Sequence, residues 1–552
     1  MRIEIFHERE VAEAEQWFRH ETELLIRLFF EEPDIVFSTA LPEEGAPPVN
    51  RDSANEDSAN GDAERPGLAV AIALRRGHGE AVVVVNLSDA AGRTIRRCAT
   101  EPYPVEHVES HRAAASGGGM VLGDGAAAEP APVRFPAKIW KRPVQMALLE
   151  ALSEWTGIRQ PWGVLTGVRP VKLYHRYLEQ GEHPGRIASL LAEQFLIAPE
   201  KIRLMEQITR RQLEVMPDLY RLGREVSVYV GIPFCPTKCA YCTFPAYSIQ
   251  GRDGSVEAFL QGLHEEIAQV GEWLLRKGFG VTAVYVGGGT PTSITADQLD
   301  ALLGHMARHL PGRDRWREWT VEAGRPDTIT PEKLDVLKKW GVDRISINPQ
   351  SFTQSTLESI GRHHTIEETL EAYELARRMG MTNINMDLII GLPGESVEHF
   401  RRSLEQAGRL RPESLTVHTL SFKRASAMTQ NKSRYRVAGR DEVTEMVRMS
   451  QAWTAEHGYV PYYLYRQKNI LGNQENVGYA LPGKECLYNI VIMEERQTIL
   501  GLGCGASSKI IAPSGKITRY ANPKEPGHYI RHYREYIEGK LKQLDEQLFA
   551  PA

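Results

Sequence analysis

Val226-Ser-Val-Tyr229-Val-Gly231-Ile-Pro-Phe-Cys235-Pro-Thr-Lys-Cys239-Ala-Tyr241-Cys242 reads as an apolar strand running straight into a loop with three cysteines in eight residues. Valines alternate along its first half, the pattern of a pleated, buried strand. Strand-like runs recur at 281–286, 320–322, 344–348, 383–390 and 414–420. Helical periodicity fills the gaps at 256–277, 296–309, 331–340, 366–379 and 397–410. Six strand–helix units in succession imply a parallel sheet with right-handed crossovers. A closed barrel of this type needs eight. The expected class is therefore α/β, a partial (β/α)6 barrel left open.

Working outward, residues 1–133 read as an α+β region, with an alternating stretch at 2–7, an amphipathic helix at 13–30 and strands at 68–74 and 80–87. Two polar stretches, about 41–66 and 113–132, cannot bury enough apolar surface to order themselves and are expected to be disordered insertions. Residues 134–225 read mostly as helix, at 141–155 and from 184 to about 224. Between these helices the Gly/Pro-punctuated run 161–172 is either a functional loop or a domain-packing turn. Residues 226–423 hold the barrel. Beyond 424 the rhythm is lost, and 424–552 is expected to be a separate mixed α/β region that covers the substrate and ends in a helix at 528–548.

A loop leaving the C-terminal end of a barrel strand is where catalytic groups gather. Three thiolates spaced C-x3-C-x2-C can each ligate one iron of a cubane. With no fourth cysteine nearby, one iron stays open to another ligand, as catalytic sites require. Structural zinc and unligated core cysteines are the alternatives. Zinc wants four ligands, usually in paired knuckles, and Cys98, Cys486 and Cys504 form no second pair.

These residues resemble the radical S-adenosylmethionine (SAM) superfamily, and within it the oxygen-independent coproporphyrinogen III oxidase group, nearest its HemZ-like branch. The resemblance covers about 226–510, and 161–172 also resembles that branch. It implies a [4Fe-4S] cluster on Cys235, Cys239 and Cys242, with one or two SAM molecules bound. Tyr229 and Glu322 match positions with SAM-binding and catalytic roles, and Tyr241 matches a SAM contact. Gly287-Gly288-Gly289-Thr290-Pro291 resembles the family's glycine-rich segment, so Gly288, Gly289 and Thr290 are expected at the cofactor, where bare backbone can approach closely. Gln350, Arg362 and Asp387 match polar positions around a second SAM. Ser421 and Ser507, the latter ending Gly501-Leu-Gly-Cys504-Gly-Ala-Ser507, fall where other ligand contacts lie. Gly391-Leu-Pro-Gly394-Glu395 resembles a conformational turn. Read without the resemblance, Gln350 is a strand-end hydrogen bonder, Arg362 a surface residue and Asp387 a buried capping group. Phe244 stands where the best-known oxidases have a fourth cysteine, a position that HemW-type haem chaperones also lack.

The resemblance implies radical removal of hydrogen from the propionates of coproporphyrinogen III, loss of carbon dioxide, and protoporphyrinogen IX as product in haem biosynthesis. A haem chaperone keeping the cluster and SAM site is the alternative. A tetracarboxylate tetrapyrrole needs cationic partners, because unpaired carboxylates are costly to desolvate. Arg169, Lys172, Arg466 and Lys468 are the candidates, with the aromatic run Pro461-Tyr-Tyr-Leu-Tyr465 suited to a flat ring. An electron donor such as a flavodoxin or ferredoxin is expected, and a monomer.

The composition is globular, 42% hydrophobic and 25% charged, with a net charge of −5. It lacks the basic domain of a nucleic-acid binder. No apolar run reaches the roughly 20 residues that cross a bilayer, and residues 1–10 are too charged for a secretory signal. A cytoplasmic location is expected, where clustered cysteines bind metal rather than pair.

Overall fold

The computed structural model describes residues 2–7, 15–30, 33–38, 68–76, 80–89, 91–102, 137–249, 255–423 and 425–549. Both stretches expected to be disordered insertions lie outside the described residues. Contacts divide the chain into two compact units, Met1–Thr166 with Gly185–Ile202, and Gly167–Pro184 with Arg203–Ala552.

In the first unit, β1 (Arg2–His7), β2 (Asp34–Ser38), β3 (Leu68–Arg76), β4 (Glu80–Asp89) and β5 (Thr94–Pro102) form a sheet ordered β2-β1-β3-β4-β5. β1 runs parallel to both neighbours and the remaining pairs are antiparallel. Helices Glu15–Ile26 and Ala137–Thr156 contribute Phe18, Leu25, Leu148 and Leu152 to one core with Ile3, Val70 and Val85. β5 escapes sequence reading because Arg96 and Arg97 interrupt its apolar pattern, as an edge strand tolerates. The helix expected over 184–224 is two, Pro184–Phe195 and Pro199–Val215. Leu196 turns left-handed at φ 55° between them, and Pro199 starts the second at the position that suits proline.

The second unit is built on one sheet of eleven strands. β6 (Glu225–Ile232), β7 (Gly280–Gly288), β8 (Glu318–Glu322), β9 (Arg344–Ser346), β10 (Ile384–Ile390) and β11 (Ser414–Thr419) lie side by side in chain order, all parallel. These are the six strands read from sequence. The remaining five are β12 (Val460–Tyr465), β13 (Asn476–Ala480), β14 (Thr498–Gly503), β15 (Ser507–Ile511) and β16 (Ile517–Ala521). They extend the same sheet, so residues beyond 424 are no separate layer. β14 adds a seventh parallel strand outside β6, followed by β15 and β16, while β13 and β12 continue antiparallel from β11. The sheet ends in two edges, β12 and β16, and is open as expected.

Helix Leu487–Glu494 carries the chain from β13 back to β14. It seats its N-terminus on Glu318, the first residue of β8, whose carboxylate accepts the backbone N–H of Leu487 (2.6 Å) and Tyr488 (3.3 Å). A carboxylate at a helix N-terminus satisfies orphan donors and meets the positive end of the helix dipole. The helix is thereby anchored at the N-terminal end of β8.

Candidate functional site

Beyond the first residue of each of β6, β7, β8, β10 and β11, one side chain is left half-buried: Tyr229, Tyr285, Glu322, Asp387 and His418. All five line a single cavity of about 580 Å³. Tyr463 of β12 lines it too. On a flat sheet Tyr463 would lie seven strand spacings, ~34 Å, from Tyr229. The sheet therefore curls around the cavity, which is the work of the expected partial barrel.

The loop after β6 forms one wall. Cys235, Cys239 and Cys242 all line the cavity, and none of the other three cysteines does. Burial pushes the Cys235 thiol up to about 11, opposed by its contact with Thr290. Among the described residues no group of three or more His, Cys, Asp or Glu side chains converges on one metal ion. Glycines let the loop close. A Cβ on Gly289 would sit 2.5 Å from the Phe234 carbonyl oxygen and 3.1 Å from Cys235 Sγ, and Gly288 adopts φ 108°. Thr290 Oγ1 lies 3.4 Å from Cys235 Sγ.

Opposite, Tyr229, Tyr285 and Tyr488 stack, with Tyr285 and Tyr488 ring centres 4.7 Å apart. The Tyr285 hydroxyl donates to Glu322. Desolvation within the cavity pushes the Glu322 carboxyl up to about 7; the tyrosine bond opposes this and the Asp387 charge adds to it. Asp387 itself stays below the usual range. Burial would raise it, but His418, 3.5 Å away, and the Asn385 amide (2.8 Å) hold the charge. His418 Nδ1 continues to the Tyr465 hydroxyl at 3.1 Å.

Between these walls runs a polar ladder. Arg344, Ser346, Asn348 and Gln350 occupy alternate positions of one extended segment, are buried, and line the cavity. Each has one buried polar atom without a hydrogen-bond partner: Nε, Oγ, Oδ1 and Oε1 respectively. Arg362 Nε is a fifth. Buried polar groups are normally satisfied, so this row is the candidate wall for a polar ligand. Gln350 is held in place at φ 67° by backbone bonds to Asp387 and Ile389, both 2.9 Å. Arg362 is buried, not a surface residue, and donates to Gly324 O (2.8 Å) and the Tyr241 hydroxyl (3.4 Å).

Every site residue expected from sequence therefore stands on one wall or another: Tyr229, Tyr241, Gly288, Gly289, Thr290, Glu322, Gln350, Arg362, Asp387, Ser421, Ser507 and the three cysteines. The four expected cations do not. Tyr463, Tyr465 and Gln467 face the cavity, so strand alternation turns Arg466 to the other side, where it is buried and bonded to Asn473. Arg169 (3.1 Å), Lys172 and Lys509 (3.0 Å) converge instead on Glu495. Lys468 is exposed and offers its carbonyl to Ser421. The cations on the wall are Arg325, Arg344, Arg362 and Lys423. Tyr285 and His418 were within reach of sequence, because they follow the period-two register that places Tyr229 beside Tyr285. Tyr488 carries no such signal, since a crossover helix brings it.

The Radical SAM superfamily profile matches residues 229–407. The chain is 60% identical over 410 residues to the Bacillus subtilis oxygen-independent coproporphyrinogen-III oxidase-like protein HemZ, covering 74% of this chain and 82% of that protein. The chain belongs to the radical SAM superfamily, in its HemZ branch. This radical SAM chain is also 32% identical over 337 residues to the Bacillus subtilis haem chaperone HemW, covering 58% of this chain and 82% of that one. It is similar in structure to the Escherichia coli coproporphyrinogen III oxidase HemN, at 23% identity and a TM-score of 0.46, over 59% of this chain and 72% of that one. Family membership implies a [4Fe-4S] cluster and SAM, and makes the chain a radical SAM oxidoreductase. No described helix is long and apolar enough to cross a membrane.

Proposed function

We propose that the chain oxidatively decarboxylates the propionates of coproporphyrinogen III to vinyl groups, giving protoporphyrinogen IX. The observation that carries the radical chemistry is the gathering of every expected cofactor residue around one cavity. The substrate is taken from the kinship with HemZ, whose described name is oxidase-like.

The donor set suits a cluster on Cys235, Cys239 and Cys242: three thiols on one wall, with no fourth thiol on it. Bound there, the cluster and SAM supply a hydrogen-abstracting radical. The remaining work belongs to the chain. Gly288 and Gly289, which line the cavity, would let the backbone approach a bound SAM closely. Tyr229 and Glu322 orient the nucleotide, and the raised carboxyl of Glu322 lets it carry a proton near neutrality. Gln350, Arg362 and Asp387, with Ser421 and Ser507, hold a second SAM on the polar ladder. Asp387, kept anionic, suits a cationic sulfonium. Tyr463 and Tyr465 offer flat faces, and Lys423 a cation for a propionate, where Arg169, Lys172, Arg466 and Lys468 cannot reach. The region beyond 424 covers the substrate by way of these tyrosines.

Anaerobic turnover with SAM and reductant tests the proposal. Protoporphyrinogen and carbon dioxide are the expected products. Tight haem binding with the porphyrinogen left untouched would instead support the chaperone reading, which the HemW similarity favours.

A further inference from the structure

The cysteine loop is clamped from two sides. The Ala240 N–H donates to Ile360 O, and the Ala240 carbonyl accepts from Met428 N–H, both at 2.9 Å. Ala240, Ile360 and Met428 share one apolar core, on which Tyr241, Tyr435 and Val437 pack. The segment that supplies Met428 is unusual in charge. Residues 425–440 contain Lys432, Arg434, Arg436 and Arg440 and no acid, in a chain whose net charge is −5. Tyr435 and Val437 turn inward to the core beneath the loop, so Arg434 and Arg436 alternate outward and are exposed. On the cysteine loop itself Lys238 and the apolar Ile249, at 40%, are exposed, and Phe244, at 55%, borders the cavity mouth.

We infer that this face, which carries Lys238, Ile249, Arg434 and Arg436, docks a small acidic protein that delivers single electrons to the cluster. The inference rests on the cluster reading above. The cavity side of the cysteines is taken by ligands, so an electron carrier must approach from outside the loop. A basic rim steers an acidic partner and raises its encounter rate. Little exposed apolar surface suffices for the small, transient contact typical of redox partners. The step is one electron out of the carrier's reduced cofactor and one into the cluster, with no bond formed or broken. The rival occupant is the tetracarboxylate substrate, drawn to the same positive rim.

The test uses the full chain with its cluster reconstituted anaerobically, comparing wild type with Arg434→Glu/Arg436→Glu. Reduced flavodoxin is the acidic probe, and bleaching of the cluster's visible absorbance is followed by stopped flow. The second-order rate should fall about tenfold or more in the variant and lose most of its salt dependence. Reduction and turnover driven by dithionite should be unchanged. Equal flavodoxin rates would overturn the docking face alone. A raised KM for porphyrinogen under dithionite would assign the patch to the substrate instead. A wild type that takes up no iron and sulfide would overturn the cluster reading and this inference together.

Discussion

Gly289 shows how little room the cysteine loop has. Its Cβ position is taken by the Phe234 carbonyl and crowded by a cysteine sulfur, and backbone yields less readily than a flexible side chain. Gly289→Ala should therefore displace the loop at a cost of about 1–3 kcal/mol. Iron and sulfide content after reconstitution should drop several-fold while the far-ultraviolet circular dichroism stays that of wild type. Cys239→Ala should abolish cluster uptake altogether, read by the same iron and sulfide analysis. At this scale the sequence was informative, because a thiol or a bare backbone has few substitutes for what it does. It misled over Arg466, whose chemistry suited a propionate but whose strand position points it away from the cavity.

The crossover helix Leu487–Glu494 ends on a second buried acid. Glu494 is 1% exposed, accepts from the Gln212 amide at 2.9 Å and contacts the ring of His175 at 3.9 Å. Burial raises its carboxyl to about 7 from an ordinary 4.5, against the lowering effect of the Gln212 bond. The folded state therefore keeps a proton that the unfolded chain gives up. This group's contribution is complete below the unfolded value and is lost as pH climbs through 7. Glu494→Gln, which carries no charge to bury, should exceed wild type in stability at pH 8 by up to about 3 kcal/mol and match it at pH ~4. Thermal unfolding at both pH values measures the difference. A uniform gain or loss across pH would show that packing, not ionisation, governs the site.

At the scale of the whole unit, the last helix locks the first barrel helix in place. Lys540 of Pro526–Leu548 and Glu266 of Val256–Lys277 form a fully buried ion pair. Glu266 also accepts from the Tyr529 hydroxyl (2.6 Å), the Asn522 amide (2.8 Å) and the Gly503 N–H (2.8 Å). Removing one partner leaves a buried charge alone, so Lys540→Met should cost about 3–5 kcal/mol. Adding Glu266→Gln should restore much of it, since the amide oxygen can still accept. Chemical denaturation of both variants reports the sum. Such a pair was illegible in sequence, as 274 residues separate its members. The order of strands, the open barrel and the cysteine wall were all present in the sequence, because each follows from local periodicity or from residue types with one dominant chemistry. Three features were decided only by tertiary structure: the five late strands joining the same sheet, the tyrosine brought in by a crossover helix, and the choice of cations that face the cavity. Each depends on which face of an element turns inward, and that is set by partners distant in the chain.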